Sequence, residues 1–570
     1  MRNLRGMKRH KQQPVLRRPV YLVFVLVAVI YLFLKTILLS YETGQSHEAA
    51  RFELFQPNST HPIKSLMAEA NRQWQLYEEK HHSKTLAEAV TLYRERHGRH
   101  PPPGYQKWWE YARKHNAHNV DDFHQIINDL RPFWAMTPKK IRQLAASLPD
   151  SEGMAVLRIR NHKVEPQSTH WRAETLAASV TRLAEFLPDM NIAVNTMDQP
   201  RVLATYEQIQ EFLKVEEETR ALPANAEDRF TPHMDHFDAN IIEGENPGWL
   251  NVAAQPYMKF AKDACPPDSP ARNPELQGVD RRYKSTLGGT SINNDILFPA
   301  NMYTYKDERY TYSPKFDYKW AAKSTKLLWR GVTSGGTQFA SSWNRLHRQR
   351  FVQLTNATEL AGKNVSLLTK DEEGRYKPVS DFAPSKFAAS HFDVGFTQAW
   401  GCISECSFYE GVWTYQQPTA FSEQFKAKYL IDIDGHSFSG RWRAFLQSRS
   451  LGIKATIFRE WHDSRLLAWR HFVPMDNMFG DLYALMTYFI GISPAAFFPS
   501  FGGAGVHVPA HDAEAQAIAT QGRDWAQVAL RDEDMEIYLY LLLLEYARVI
   551  DDNRDHIGYS GDGTPLDLNK

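Results

Sequence analysis

Beyond residue 100 the chain alternates short apolar runs with amphipathic stretches, the rhythm of strands alternating with helices. The runs "MAVLRIR" (154–160) and "MNIAVN" (190–195) have strand length. Between them "THWRAETLAASVTRLAEFL" repeats its apolar residues at helical spacing, so strand, helix, strand predicts a right-handed parallel crossover. A second set begins with "KLLWRG" and the helix-like "SSWNRLHRQRFVQL". It continues with the strand "KYLIDIDG" (428–435), the helix "GRWRAFLQSRSLG" (440–452) and the strand "KATIF" (454–458). Two such α/β units predict a doubly wound protein with a cleft outside the carboxyl ends of its strands. The closing "EDMEIYLYLLLLEYARVI" is too short an apolar run to span a membrane and predicts a buried final helix.

The start of the chain has another pattern. Arg2, Arg5, Lys8, Arg9, Lys11, Arg17 and Arg18 precede an unbroken apolar run from Val20 to Leu34, which Ile37–Leu39 extends past Lys35. About 20 such residues suffice for a transmembrane helix. The basic flank belongs in the cytosol, and the absence of a small-residue cleavage site after Leu39 favours an uncleaved signal-anchor. The expected organisation is a cytosolic tail (1–18), an anchor (19–39) and a helical lumenal stem (40–100) ended by Pro101-Pro102-Pro103-Gly104. Two α/β domains follow at 101–325 and 326–550, with a short tail at 551–570. Trp108, Trp109, Phe133 and Trp134 lie at helical spacing and predict core packing. The "HMDHFD" cluster (233–238) lacks paired ligands at a helical spacing and reads as a solvated loop.

Composition agrees with a lumenal catalytic or binding domain. The net charge is +1, but setting aside the seven basic residues of the tail leaves 60 Lys and Arg against 66 Asp and Glu. Such a balance disfavours nucleic acid as a partner. Sequons at Asn58, Asn356 and Asn364 mark expected glycosylation sites. Cys265, Cys402 and Cys406 are too few for a disulfide framework, and spacing leaves open whether Cys402 and Cys406 pair.

Three features carry candidate chemistry. "WRGVTSGG" combines an arginine with small residues whose amides can approach a phosphate, and "DIDGHSFSGRWR" repeats that logic at a strand end. Arg330, Arg441 and Arg443 would complement the charge. Asp432-x-Asp434 offers a divalent-cation reading, although a strand-end turn role for Asp434 is equally natural. Asp198, just beyond "MNIAVN" and before Pro200, is the expected general base.

Several blocks in order resemble glycosyltransferase family 90, the capsule-associated-protein family of fungal xylosyltransferases and animal protein O-glucosyltransferases. They are "PPPGYQKWWEYARKH", "DDFHQIINDLRPFWAM", "LPDMNIAVNTMDQPRV", "ACPPDSPAR", "DILFPANMY", "LLWRGVTSGG", "KYLIDIDGHSFSGRWRAFL" and "ATIFREWHDSRLLAWRHFVPM". Together they span most of residues 101–550, and the pattern resembles fungal members more than animal ones. The resemblance implies a GT-B fold, two Rossmann-like domains facing a cleft, and an inverting transfer from a UDP-sugar; metal independence is expected from the arginines and amides of the two loops, which would take the place of a cation. It implies Asp198 as base. It implies Trp329, Arg330, Gly331, Val332, Thr333 and Ser334 as one donor segment and Ser439, Arg441 and Arg443 as another. Asp295 and Phe298 match the "DILFP" block, and Glu460 is the residue expected to meet ribose hydroxyls. Met197 and Gln199 stand where animal members carry a basic residue and tyrosine, which leaves the acceptor open. UDP-xylose is the first donor expected and UDP-glucose the second, with a glycan or glycoprotein acceptor at the Golgi or endoplasmic reticulum membrane. A non-catalytic glycan-binding or scaffold protein, or a hydrolase pairing Asp198 with Glu460, would be the alternatives.

Overall fold

The computed structural model describes residues 60–80, 82–147, 153–165, 168–198, 200, 204–232, 263–267, 272, 294–371, 373–437, 439–492 and 507–564. The expected anchor, Asn58 and the "HMDHFD" cluster lie outside the described residues. No described helix is long and apolar enough to cross a membrane. Residues 66–370 and 378–570 contain one compact unit. A second, small unit includes residues 60–65 and 373–377, where the His61 and Tyr376 rings meet edge-on at 4.7 Å.

The first half of the main unit holds a three-stranded sheet of β1 (Met154–Arg160), β2 (Lys163–Glu165) and β3 (Met190–Asn195) in the order β2-β1-β3. Both predicted strands are present, but β1 and β3 run antiparallel, with Met154 opposite Asn195. The expected parallel crossover from β1 is therefore corrected. Asn161 and His162 take φ values of 48° and 60°, the backbone of a tight two-residue hairpin, and reverse the chain into β2. The helix Trp171–Thr181 thus joins β2 to β3, which are both antiparallel to β1 and so parallel to each other. At three residues, β2 is too short for an alternation to reveal it.

The main sheet of the second half is parallel throughout. It comprises β4 (Ser324–Val332), β7 (Phe392–Gln398), β8 (Ala427–Ile433), β9 (Leu451–Ala455) and β10 (Val473–Pro474) in the order β10-β9-β8-β4-β7. Between them in sequence, β5 (Val365–Lys370) and β6 (Tyr376–Phe382) form a separate two-stranded ribbon. Every residue of β8 and β9 is buried, as expected of central strands covered on both faces. Mixed α/β architecture with a Rossmann-like parallel sheet is therefore observed.

The final helix, Asp532–Val549, is buried along most of its length, as predicted. It packs on the helices Tyr105–Lys114 and His124–Leu130 of the first half, and Trp108 Nε1 donates to Ile537 O at 3.0 Å. The chain thus ends on the half in which the core began, and the sequence boundary at 325 does not enclose it. Trp108 and Trp134 are buried as expected, with Trp109 and Phe133 packed beside them. Leu86, Ala89, Val90 and Tyr93 of the helix Leu86–His97 join the same core, so this part of the expected stem is built into the domain. Cys402 and Cys406 form a disulfide, and Cys265 is buried. Of the predicted sequons, Asn364 is exposed and Asn356 half-buried, its side chain accepting from Thr358 N at 3.0 Å.

Candidate functional site

Counted within the parallel sheet, the strands run 2-1-3-4-5, with β4 first and β8 third. The chain leaves β4 toward β7 on one side and, from β8, winds toward β9 and β10 on the other. The crevice between β4 and β8, at their carboxyl ends, is where such sheets take ligands. The two phosphate-compatible loops read from the sequence follow these two strands and meet there. A Cβ on Gly335 would stand 3.3 Å from Gly435 O, and one on Gly435 would stand 3.0 Å from Arg348 Nη2. Gly335 and Gly336 have φ values of 120° and 123°, which a side-chain-bearing residue would occupy only under strain.

Arg348, from the helix His347–Thr355, straps the loops together. It donates to Asp434 O at 2.8 Å, Val332 O at 3.0 Å and Ser334 Oγ at 2.7 Å. Burial, helped by neighbouring Arg441, pulls its pKa down to about 9. Thr333 is buried and exchanges hydrogen bonds with the Trp400 backbone at 2.9 and 3.0 Å. Trp329 lies in the core against Phe351 and Phe396, and its ring closes over Gly331, where a Cβ would clash at 2.7 Å. These residues frame the crevice from below.

The arginines divide. Leu328 pairs with Asp393 and Arg330 with Gly395, so Arg330 and Asp393 share one sheet face as diagonal neighbours. The Arg330 guanidinium binds the Asp393 carboxylate and also its carbonyl, at 2.8 Å. Its Nε keeps no hydrogen-bond partner, and the diphosphate contact expected of Arg330 would have to compete with Asp393. Arg441 stays at the crevice, donating to Arg330 O at 2.7 Å and lying 3.9 Å from Asp432. Ser439 Oγ accepts from Arg441 Nε at 3.3 Å. Arg443 is engaged elsewhere. It bonds Leu530 O at 2.7 Å, Tyr303 O at 3.2 Å and Asp532 at 2.7 Å, tying down the chain's last helix instead of facing the crevice.

A neighbouring cleft, with a cavity volume of about 150 Å³, brings Asp198, Asp295, Phe298 and Glu460 together with Arg172 and Arg459. That is room for several waters or a small polar group. Asp198 reaches it because Asn195 Oδ1 accepts from Met197 N at 2.9 Å and turns the chain just after β3. Its carboxylate is 43% exposed, with one oxygen held by Arg172, which also donates to Thr196 O at 2.7 Å. His436, beyond β8, feels the Asp198 charge: burial lowers its pKa and Asp198 opposes that shift. The wall from the first half and the loop from the second are therefore neighbours. Met197 and Trp400 are half exposed, and Trp400 meets the His436 ring at 5.1 Å.

Glu460 lines the cleft, but its carboxylate is already used. It accepts from Lys454 Nζ at 2.8 Å and Tyr303 OH at 2.7 Å, and His462 Nε2 lies 3.1 Å away. Burial alone would raise its pKa, but Lys454 and His462 hold it well below the usual carboxylate range. The ribose contact expected of it would have to compete with these partners. Asp432 and Asp434 are also buried. Asp434 accepts from Thr456 Oγ1 at 2.7 Å and Ile457 N at 2.6 Å, and burial raises its pKa to about 7. Asp432 faces Lys454 at 3.3 Å. The pair ties β8 to β9 and does not project into the crevice.

His462 provides a pH test. Burial would lower its pKa, but Glu460 and Asp463 more than offset this and raise it to about 9. A group whose folded pKa is raised contributes stability that is complete below its unfolded value, about 6.5. That contribution is lost as pH rises toward 9. Melting curves from pH 6 to 9.5 are expected to show the parent's advantage over His462→Gln shrinking across this window. A constant difference would refute it.

The sequence pattern does not single out Arg172, Arg459, Arg348 or His436. Arg459 follows β9, so asking which residues follow every parallel strand would have found it. Arg172 and Arg348 lie on helices, and only the fold brings them to the strand ends. No family model matches the chain.

Proposed function

We propose that the chain is a GT-B-type, inverting glycosyltransferase that moves a sugar from a UDP-sugar to a hydroxyl of a glycan or glycoprotein. The observation carrying this reading is the half-exposed Asp198 carboxylate, set in a cleft with loops from the carboxyl ends of a doubly wound sheet. In this reading Asp198 accepts the acceptor hydroxyl's proton as its oxygen bonds to C1. The bond from C1 to the UDP oxygen breaks on the opposite face, inverting the centre. Arg172 holds the base in place. Loop amides, Arg441 and Arg459 face the charge that develops on departing UDP. Exposed Met197 and Trp400 offer apolar surface to the acceptor's sugar or peptide faces. Xylose is the first donor and glucose the second. The basic, apolar amino-terminal sequence supports a single-pass type II anchor with the catalytic domain in the Golgi or endoplasmic reticulum lumen.

The test is a screen of UDP-sugars with glycan and glycoprotein acceptors, reading product and released UDP. Transfer is expected with one UDP-sugar. It should survive EDTA at temperatures well below melting, because arginines and amides take the place of a cation. Glycan binding without consumption of any UDP-sugar would favour a glycan-binding protein. Loss with EDTA and recovery with Mn²⁺ would refute metal independence.

A further inference from the structure

We propose that Glu78, His82 and His118 form a site for one transition-metal dication, with Zn²⁺ the best match. Glu78 lies in the last turn of the helix Pro62–Lys80, and His82 follows two residues after its end. His118 comes from the turn after the helix Tyr105–Lys114. His118 Nε2 stands 3.3 Å from Glu78 Oε1, and His82 Nε2 stands 3.6 Å from Glu78 Oε2. The three ligand atoms all lie within 4.8 Å of one another. Tetrahedral zinc with bonds of about 2.0–2.1 Å separates its ligand atoms by about 3.3–3.4 Å, so only a small closure is needed.

The second, independent observation is the state of His82. Its side chain is only 9% exposed. Its Nδ1 lies 3.2 Å from His118 O, a carbonyl that can only accept, so Nδ1 carries the proton. In the neutral imidazole Nε2 is then the lone pair; it is shielded from solvent and has no hydrogen-bond partner, with Glu78 Oε2 at 3.6 Å. A buried acceptor left in this state is costly, and a dication at Nε2 would satisfy it. A ligating imidazole whose other nitrogen donates to a backbone carbonyl is the usual arrangement around zinc. Tyr77 packs on His82 at 5.6 Å and Trp525 on His118 at 4.9 Å, which limits ring movement.

Two imidazoles and one carboxylate suit zinc better than Mg²⁺ or Ca²⁺, which prefer sets of oxygen ligands. Glu78 and His118 are 38% and 31% exposed, leaving a side open for water as fourth ligand. None of the three residues lines the Asp198 cleft. The ion would clamp the end of one helix to the turn after another, so its removal should act on stability and leave sugar transfer unchanged.

The experiment strips the full-length protein with EDTA, dialyses the chelator away and titrates ZnCl₂ by calorimetry, with metal analysis and melting curves. The expected result is one zinc per chain and a raised Tm. Glu78→Gln, a near-isosteric change at a partly exposed position, keeps the fold and tests the site without a packing defect. Both Glu78→Gln and His118→Ala are expected to weaken zinc binding by at least about tenfold, the scale of losing even an outer-shell partner. Absence of stoichiometric zinc uptake, or uptake left intact by either substitution, overturns the proposal.

Discussion

Asp198→Asn is expected to lower sugar transfer by about 10²–10⁴-fold, the range for loss of a general base, while UDP affinity stays nearly constant. An acceptor hydroxyl is a poor nucleophile at neutral pH, so a positioned carboxylate must take its proton as the new bond forms. The local geometry makes the substitution clean. Arg172 donates to Asp198 Oδ1, and an asparagine oxygen can accept the same bond. Arg172 also donates to Thr196 O, so the loop after β3 keeps its second anchor. What disappears is basicity, with shape and anchoring retained. A folding defect would reduce transfer and UDP binding together. Single-turnover rates and UDP titrations on the same preparation separate the two cases. Near-normal transfer by Asp198→Asn, where chemistry limits the rate, would remove Asp198 from the role of base.

How far the sequence foretold this site follows from the kind of information each residue carries. Periodicity located β1, β3, β4 and β8 because buried strands need apolar runs whatever their partners are, whereas β9 begins inside the stretch expected as the helix 440–452 and only overlaps the expected strand at 454–458. Pairing direction was beyond its reach, since Asn161 and His162 adopt positive φ only in the folded hairpin and their identities alone do not demand it. Asp198 was legible because it follows a strand and precedes a turn. The arginines were harder, because a guanidinium reaches several ångströms and its partner depends on register. Arg330 turns to Asp393 only because β7 lies beside β4, and β7 was absent from the expected strands. Arg443 turns to Asp532 only because the last helix returns to the first half, a contact 89 residues away in sequence. The aspartates of "DID" likewise acquire their meaning from β9, which pairs Asp432 with Lys454. Glycines fared best. The turn at Gly335 and Gly336 requires them, and that requirement is local.

Lys454→Met is expected to be the most destabilising single change near the cleft, costing about 3–5 kcal/mol, the scale for removing one partner of a buried ion pair. Lys454 is 5% exposed and is the cation between two buried carboxylates, Glu460 at 2.8 Å and Asp432 at 3.3 Å. Its ammonium also lies 4.5 Å from the Trp442 ring centroid. Burial would lower the lysine's pKa, but Glu460 and Asp432 drive it above the ordinary value, so the pair stays ionised through the neutral range. Methionine fills much the same volume and leaves packing on Trp442 largely intact. The cost therefore comes from Asp432 and Glu460, which would remain buried with one cation fewer and only His462 and Arg441 nearby. Urea midpoints at fixed pH measure the loss. The double variant Lys454→Met, Glu460→Gln supplies the control, because removing one stranded charge should recover part of the stability and give a clearly non-additive cycle. The effect should extend to the cleft, since Phe458, Arg459, Glu460 and Trp461 form one of its walls and Glu460 is the residue the network holds. A Lys454→Met protein with an unchanged urea midpoint would mean that water or rearranged side chains already solvate these carboxylates, and that the network does not fix the wall.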